Sequence, residues 1–79
     1  MKVIVFGATG GTGRAVIQSA LAAGHSVTAF VRDAGKMSPA PGMRIIQGDA
    51  MVAYDVAAAL QGQEAVVITL GNSQNAFGL

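Results

Sequence analysis

The sequence predicts an α/β fold, a parallel sheet of about four strands in the order 3-2-1-4 with helices on both faces. Short apolar runs alternate along the chain with segments of helical period, which is typical of strand-helix-strand units. The first such unit is complete within about thirty residues, so the right-handed crossover rule makes its two strands parallel. Of the 79 residues, 52% are apolar and 11% are charged, a composition that suits a sheet covered on both faces.

The first strand and the first helix enclose a glycine-rich turn. Val3 to Phe6 is apolar without alternation, as expected of a central parallel strand that is buried on both faces. From Thr12 or Gly13 the apolar positions recur with helical period, and Gly24 fits the left-handed residue that ends a helix. The predicted apolar stripe of this helix consists of Val16, Ile17, Ala20, Leu21 and Ala23.

The remaining elements follow from periodicity and turn residues. Ser26 to Val31 alternates and is rich in β-branched residues, so it is predicted to be the second strand. Ala34 to Gly42 contains two prolines and two glycines and is predicted to be a loop. Met43 to Gln47 is predicted to be the third strand and Val52 to Leu60 an alanine-rich helix. Ala65 to Leu70 is an unbroken apolar run, predicted to be the fourth strand. The predicted buried positions of the second helix are Val52, Val56, Ala59 and Leu60.

The glycine-rich turn has the composition of a phosphate-binding loop. Gly7 lets the backbone leave the strand sharply, Gly10 removes a Cβ where a phosphate approaches, and Gly13 lets the helix pack closely on the sheet. Free amide groups and the positive end of the helix dipole then face the anion. The alternative is a surface turn without a ligand. The residues predicted to bind a nucleotide diphosphate are Gly7, Thr9, Gly10, Gly11, Thr12 and Gly13, with the Thr12 hydroxyl as a donor to phosphate.

The stretch Val5-Phe6-Gly7-Ala8-Thr9-Gly10-Gly11-Thr12-Gly13 resembles the opening of atypical and extended short-chain dehydrogenases/reductases. It is most similar to the NmrA-like and flavin reductase (biliverdin reductase B) branch of that group. The resemblance implies a Rossmann-type NAD(P)-binding fold. It extends over the whole chain but over only the N-terminal half of the family's domain. We therefore expect residues 1–79 to form a single, truncated NAD(P)-binding half-domain.

The residues after the second strand select between NAD and NADP. An acidic side chain at this point hydrogen-bonds the ribose hydroxyls, whereas an arginine can bind a 2′-phosphate. Arg32 stands where the reductases that the sequence resembles carry their 2′-phosphate arginine, and Lys36 supplies a second basic position. NADP is therefore favoured over NAD, although the adjacent Asp33 weakens the preference. The alternative is that Arg32 and Lys36 are ordinary solvated charges.

Further positions of the resembled family follow the third and fourth strands. Asp49 matches an acidic residue that lies by the adenine, and Ala50 follows where a bulkier apolar residue is common. A compatible alternative is that Asp49 caps the helix after it. Gly71 and Asn72 match the positions where the main chain passes near the nicotinamide ribose.

Several kinds of chemistry are excluded by composition. Without cysteine there is no disulfide, thiolate zinc site or cysteine nucleophile, and His25 is the sole histidine. Tyr54 is not the tyrosine of a Tyr-x-x-x-Lys pair, because Ala58 stands four residues after it. We expect no catalytic residue and no metal ligand in this chain.

Charge and hydropathy set expectations for partners and location. A formal net charge of +1 gives no reason to expect nucleic acid or a membrane surface as a partner. The N-terminal apolar run is too short for a signal peptide or a membrane span, so a cytoplasmic location is expected. Ala65 to Leu70 forms an open apolar edge, which predicts either a homodimer through this edge or its coverage by the other half of the domain.

Three functions remain open at this point. In the first, the chain belongs to a reductase in which NADPH passes hydride to a small aromatic acceptor such as a flavin. In the second, it is a non-catalytic NADP-binding regulator of the NmrA type. In the third, it is an incomplete fragment without independent activity. The first two share every motif of the sequence.

Overall fold

A computed structural model of the protein describes residues 1–69. The four strands are β1 (Lys2–Phe6), β2 (Ser26–Val31), β3 (Met43–Gln47) and β4 (Ala65–Ile68). The two α-helices are α1 (Gly11–Ala22) and α2 (Ala53–Leu60), and a single 3₁₀ turn covers Ala34–Lys36 within the predicted loop. Gly24 follows α1 with the predicted left-handed backbone, at φ 88°.

The strands form one parallel sheet in the order β3-β2-β1-β4, as predicted. Val5, the fourth of the five residues of β1, is opposite Ala29 in β2 and Val67 in β4. The carboxyl ends of β1, β2 and β3 therefore lie side by side at one edge of the sheet. In open parallel sheets this edge is where ligands bind.

The two helices cover opposite faces of the sheet. On one face Ile17 of α1 packs in a buried cluster with β1 and β2 residues such as Val5 and Ala29. On the other face Ala59 of α2 packs in a second cluster. Burial of each large apolar side chain contributes about 1.5–3 kcal/mol, so both faces stabilise the sheet. The second cluster consists of Ile4, Phe6, Phe30 and Ala59.

The predicted buried face of α2 is wrong in part. Ala59 is buried and Val56 is partly buried against the same cluster, but Val52 and Leu60 are exposed. Val52 precedes the helix with extended backbone (φ −101°, ψ 113°), so helical spacing does not carry it onto the sheet. Leu60 follows Ala59 by one residue and is thereby turned about 100° around the helix from it.

β4 is shorter than predicted and exposes apolar side chains. It ends at Ile68, and Leu70 of the predicted strand lies outside the described residues. Val66 is paired with Ile4 of β1 and Ile68 with Phe6, so both share the face that carries α2. Val66 is nevertheless 50% exposed and Ile68 59% exposed, because α2 packs over Phe30 and Ile46 on the far side of β1.

Within residues 1–69, neither helix is long and apolar enough to cross a membrane.

Candidate functional site

The turn that follows β1 requires glycine at two positions, one because of its backbone conformation and one because of a close contact. Gly7 has a positive φ of 77°, and a Cβ there would collide with the carbonyl oxygen of Thr69. A Cβ on Gly13 would collide with the carbonyl oxygen of Gly7 and approach the Ala8 Cα to 2.8 Å. Gly13 therefore brings the first turn of α1 against the strand end.

Thr69, which follows β4, holds this turn by hydrogen bonds. Its amide donates a hydrogen bond to the carbonyl oxygen of Phe6 at 2.9 Å. Its hydroxyl oxygen lies 2.9 Å from the same oxygen and 3.0 Å from the carbonyl oxygen of Gly7. Thr69, the first residue after β4, therefore holds Gly7 in place at the point where the chain leaves β1.

The start of α1 is open to an anion. Gly10 is the N-cap residue and has no side chain to offer, and the first helical hydrogen bond runs from the Arg14 amide to the Gly10 carbonyl at 3.0 Å. The amides of Gly11, Thr12 and Gly13 precede that bond and have no intrahelical acceptor. Residues 11–14 include no acidic side chain that would occupy these donors. The arrangement suits a phosphate group.

A cavity of about 410 Å³ opens beside this helix start, at the carboxyl ends of β1, β2 and β3. Five predicted site residues line it, namely Gly7, Thr9, Gly10, Arg32 and Ala50. The lining residues that the sequence did not single out are Phe6, Ala8, Phe30, Val31 and Gly48. The Phe6 and Phe30 rings lie 4.8 Å apart between centroids, tilted by 39°. Both phenylalanines belong to the buried cluster beneath α2, so the cavity borders the glycine turn on one side and this cluster on the other.

Arg32 lies at the edge of the cavity with its side chain 81% exposed. Its Nη2 atom is 4.0 Å from Oδ1 of Asp49. The neighbouring Asp33 is engaged locally, because its Oδ1 accepts a hydrogen bond from the Gly35 amide at 2.9 Å and so caps the 3₁₀ turn. Of the two adjacent charges, Arg32 is the one that lines the cavity.

Asp49 organises the turn after β3. Its Oδ1 accepts a hydrogen bond from the Met51 amide at 2.8 Å, and its own amide donates to Oδ2 of Asp55 at 3.0 Å. The N-cap residue of α2 is Val52, which makes no side-chain capping bond. The alternative that Asp49 caps the following helix is therefore wrong, because its carboxylate accepts a hydrogen bond within the turn that precedes α2.

The remaining predicted residues are placed differently. Gly11 and Thr12 are exposed in the first turn of α1, outside the cavity lining. Lys36 is not in the lining either, and its carbonyl oxygen accepts a hydrogen bond from Arg14 at 3.1 Å. Gly71 and Asn72 lie outside the described residues.

Three further residues shape this region although the sequence did not indicate them, namely Gly48, Thr69 and Arg14. A Cβ on Gly48 would approach Phe30 Cζ to 2.8 Å, so this position requires glycine. Because Gly48 directly follows a predicted strand, the sequence could have indicated it as a site residue. Thr69 and Arg14 act through hydrogen bonds to carbonyl groups distant in sequence. No spacing pattern indicates such contacts.

A second cleft of about 400 Å³ lies at the opposite end of the sheet, with Lys2, Arg44 and Gln63 in its lining. Its size is similar, so size does not identify the site. Neither α-helix begins at this cleft, whereas α1 begins beside the first cavity. Among residues 1–69 no group of three or more histidine, cysteine or acidic side chains is arranged to hold a metal ion.

Comparison with known proteins agrees with this geometry. The profile of a family described as NAD(P)H-binding matches residues 7–78. An isoflavone reductase homologue of Zea mays is 31% identical over 83 residues, which cover 92% of this chain and 27% of that protein.

Two solved structures are similar to the chain. The oxidoreductase ylbE from Lactococcus lactis superposes with a TM-score of 0.82 at 20% identity, over 95% of this chain and 35% of that one. A Rossmann-fold NAD(P)-binding family protein from Shigella flexneri gives a TM-score of 0.78 at 32% identity, over 87% of this chain and 36% of that one. The chain therefore spans about a third or less of the length of these proteins. Because the family profile covers residues 7–78 and the sheet has the Rossmann-type strand order, the chain belongs to the NAD(P)H-binding family.

Proposed function

We propose that this chain is the NADP-binding part of an NADPH-dependent oxidoreductase of the atypical short-chain dehydrogenase/reductase class, with residues 1–79 as one half-domain. Membership of the NAD(P)H-binding family makes a nicotinamide dinucleotide the cofactor. The position of Arg32 carries the more specific proposal, because its exposed guanidinium lies at the edge of the cavity beside the glycine turn. The similarity to a maize isoflavone reductase homologue supports a reductase.

The diphosphate is proposed to lie across the start of α1. Three amide groups without an intrahelical acceptor and the positive end of the helix dipole stabilise negative charge there. Hydrogen bonds from Thr69 to the carbonyl oxygens of Phe6 and Gly7 hold the turn before binding, which lowers the backbone entropy lost when the diphosphate binds. The residues proposed to contact the diphosphate are Gly7, Thr9, Gly10, Gly11, Thr12 and Gly13.

The two ends of the cofactor are proposed to lie on either side of that helix start. Asp49 and Ala50 follow β3 and would lie by the adenine, with Ala50 in the cavity lining. Gly71 and Asn72, which follow the described part of the chain, would lie by the nicotinamide ribose. When bound, NADPH supplies the hydride, and the residues named here bind and orient it.

Selectivity for NADP over NAD is proposed to come from Arg32. Its nearest acidic partner is Asp49 at 4.0 Å, and an exposed ion pair of this kind contributes only about 0–1 kcal/mol. A 2′-phosphate accepts two parallel hydrogen bonds from a guanidinium, which is a stronger interaction. Asp33 opposes NADP less than its position suggests, because its carboxylate is turned toward the Gly35 amide.

The hydride acceptor is proposed to be a small aromatic molecule such as a flavin. Tyr54 is exposed on α2, and the position four residues after it is Ala58. Tyr54 therefore does not belong to a Tyr-x-x-x-Lys pair. The alternative proposal is a non-catalytic NADP-binding regulator of the NmrA type. NADPH oxidation that depends on added flavin separates the two, and the intact mass of the natural protein decides whether the chain is a fragment.

The proposal extends to partners and location. A homodimer through β4 is proposed because Val66 and Ile68 of this strand are exposed. We also propose a cytoplasmic location. We propose in addition that the chain has no nucleic-acid or membrane partner, which the net charge of +1 supports.

The test is a titration of the full chain with NADPH and with NADH by calorimetry, for the natural protein and for Arg32→Ala. Loss of a hydrogen-bonded charge pair of about 1.5–3 kcal/mol weakens NADPH binding by about 10- to 150-fold. Binding of NADH is expected to change by less than about twofold, because it has no 2′-phosphate.

Arg44→Ala is the matched control. Arg44 is an exposed arginine on β3 that lines the cleft at the opposite end of the sheet. Equal effects of the two substitutions on NADPH binding, or no NADPH binding by the natural protein, would contradict the proposal.

A further inference from the structure

We propose that Arg14 is a positioning residue for NADP selectivity, which acts by holding the loop of Lys36 against the glycine turn. The inference rests on the proposed function, since it concerns recognition of the 2′-phosphate. Arg14 itself is not in the lining of the cofactor cavity. Its proposed role is to fix the backbone of Lys36, whose long side chain would reach the 2′-phosphate from outside the cavity lining.

The guanidinium of Arg14 joins two separate segments of the chain. Its Nε donates to the carbonyl oxygen of Thr9 in the glycine turn at 3.1 Å, and its Nη2 donates to the carbonyl oxygen of Lys36 at 3.1 Å. A guanidinium presents its donors in a rigid planar fork and can satisfy both carbonyls at once. It therefore sets the distance between the two segments.

The location of Arg14 is unfavourable for the helix itself. It lies in the first turn of α1, where the helix dipole disfavours a positive charge. Within residues 1–69, the one ion pair with a nitrogen–oxygen distance of 4.0 Å or less joins Arg32 and Asp49. No carboxylate of these residues therefore forms an ion pair with Arg14. The contacts that hold the side chain in place are the two carbonyl oxygens.

The loop that Arg14 holds begins directly after Arg32. The Ala34 amide donates to Oε1 of Gln47 at 2.9 Å, and the Gly35 amide donates to Oδ1 of Asp33 at 2.9 Å. Within the turn the Lys36 amide also donates to the Asp33 carbonyl at 3.1 Å, and the Met37 amide donates to the Ala34 carbonyl at 3.2 Å. The bond from Arg14 to the Lys36 carbonyl ties this turn to α1. It fixes the end from which the Lys36 side chain departs.

A fixed backbone at Lys36 lowers the entropy lost when its ammonium group binds a phosphate. Without Arg14 the 3₁₀ turn would keep its local bonds, including the one from the Lys36 amide to the Asp33 carbonyl at 3.1 Å, but would lose the bond that ties the Lys36 carbonyl to α1. We expect Arg32 and Lys36 to bind the 2′-phosphate together only while Arg14 holds Lys36 in place.

The test is a double-mutant cycle on the full chain with Arg14→Gln and Lys36→Ala, with NADPH and NADH binding as the readouts. Each single substitution is expected to weaken NADPH binding by about fivefold to tenfold and NADH binding by less than about twofold. The double variant is expected to be no weaker than Arg14→Gln alone, because the two residues act through one contact. Additive effects, or an equal loss of NADH binding, would overturn the inference.

Arg14→Lys separates position from charge. A lysine keeps the positive charge but cannot bridge both carbonyls with a planar fork. Its NADPH affinity is therefore expected to resemble that of Arg14→Gln, and an affinity equal to that of the natural protein would overturn the inference. Gln18→Ala, one turn further along the exposed side of α1, is the control for helix stability and should leave both affinities unchanged.

The outcome is separable from that of the proposed function. If Arg32→Ala selectively weakens NADPH binding and Arg14→Gln does not, the proposed function stands and this inference fails. If the natural protein does not bind NADPH, both fail.

Discussion

The hydroxyl group of Thr69 donates to the carbonyl oxygen of Gly7 at 3.0 Å, across 62 positions of sequence. The Thr69 amide donates in addition to the carbonyl oxygen of Phe6 at 2.9 Å. The shape of the glycine turn therefore depends on Thr69, the residue that follows β4, as well as on its own glycines. These hydrogen bonds join the glycine turn to the carboxyl end of β4.

Thr69→Val is expected to loosen the glycine turn. The substitution keeps the shape of the side chain and removes the hydroxyl, which costs about 0.5–1.5 kcal/mol of stability. Because the lost contact holds Gly7, NADPH binding is expected to weaken severalfold as well. Chemical denaturation measures the first effect and calorimetry the second.

Thr28→Val is the matched control for that substitution. The Thr28 hydroxyl accepts a hydrogen bond from Nε2 of Gln63 at 3.1 Å, and both residues line the cleft at the opposite end of the sheet. We expect a comparable loss of stability with unchanged NADPH affinity. A weaker NADPH affinity in both variants would show that Thr69 acts only through global stability.

Gly7→Ala and Gly11→Ala are expected to differ sharply in stability. A Cβ on Gly7 collides with the Thr69 carbonyl at a positive φ, so a loss of at least about 2 kcal/mol is expected. A Cβ on Gly11 meets nothing within 4 Å in the first turn of α1, and alanine is the better helix former, so stability should stay equal or rise by up to about 1 kcal/mol. Thermal unfolding of both variants measures the difference, and equal stabilities would contradict the described turn.

Asp33→Asn is expected to increase NADPH affinity. The amide oxygen of asparagine can still accept the Gly35 hydrogen bond, so the 3₁₀ turn is kept while a negative charge beside Arg32 is removed. The expected gain is about twofold to fivefold for NADPH, shrinking at high salt because the interaction is exposed, with NADH affinity unchanged. A gain of the same size for NADH would show that the charge does not act on the 2′-phosphate.

Ile68→Lys is expected to convert the proposed homodimer into a monomer. Ile68 is 59% exposed on the edge strand, so a lysine there should cost little stability while placing a charge in the dimer interface. Sedimentation velocity over a range of concentrations measures the change. Tyr54→Lys, at an exposed aromatic residue of α2, is the control. A natural protein that is monomeric at every concentration would contradict the dimer.

The order of the sheet was predictable because its signals are local. The alternation in Ser26–Val31 and the turn residues around Met43–Gln47 gave both strands their observed bounds. The glycine turn was predictable for a similar reason, since a sharp strand exit and a close helix contact require glycine at fixed positions. Short-range sequence therefore carried the topology and the location of the candidate site.

The parts that could not be predicted depend on contacts between distant segments. Helical spacing placed Val52 on the buried face of α2, but the helix begins one residue later and leaves it exposed. The roles of Thr69 and Arg14 arise because strand ends and loops that are distant in sequence meet at one edge of the sheet. Lys36 was predicted as a second basic position after Arg32, but the sequence did not indicate that its carbonyl oxygen accepts a hydrogen bond from Arg14.

Amide-resolved nuclear magnetic resonance of the full chain with NADPH tests whether the cofactor diphosphate binds at the start of α1. If it does, the largest changes in chemical shift are expected at the amides of Gly10, Gly11, Thr12 and Gly13. Changes spread evenly over the chain would not support this site. Changes concentrated instead at Lys2, Arg44 and Gln63, in the cleft at the opposite end of the sheet, would contradict it.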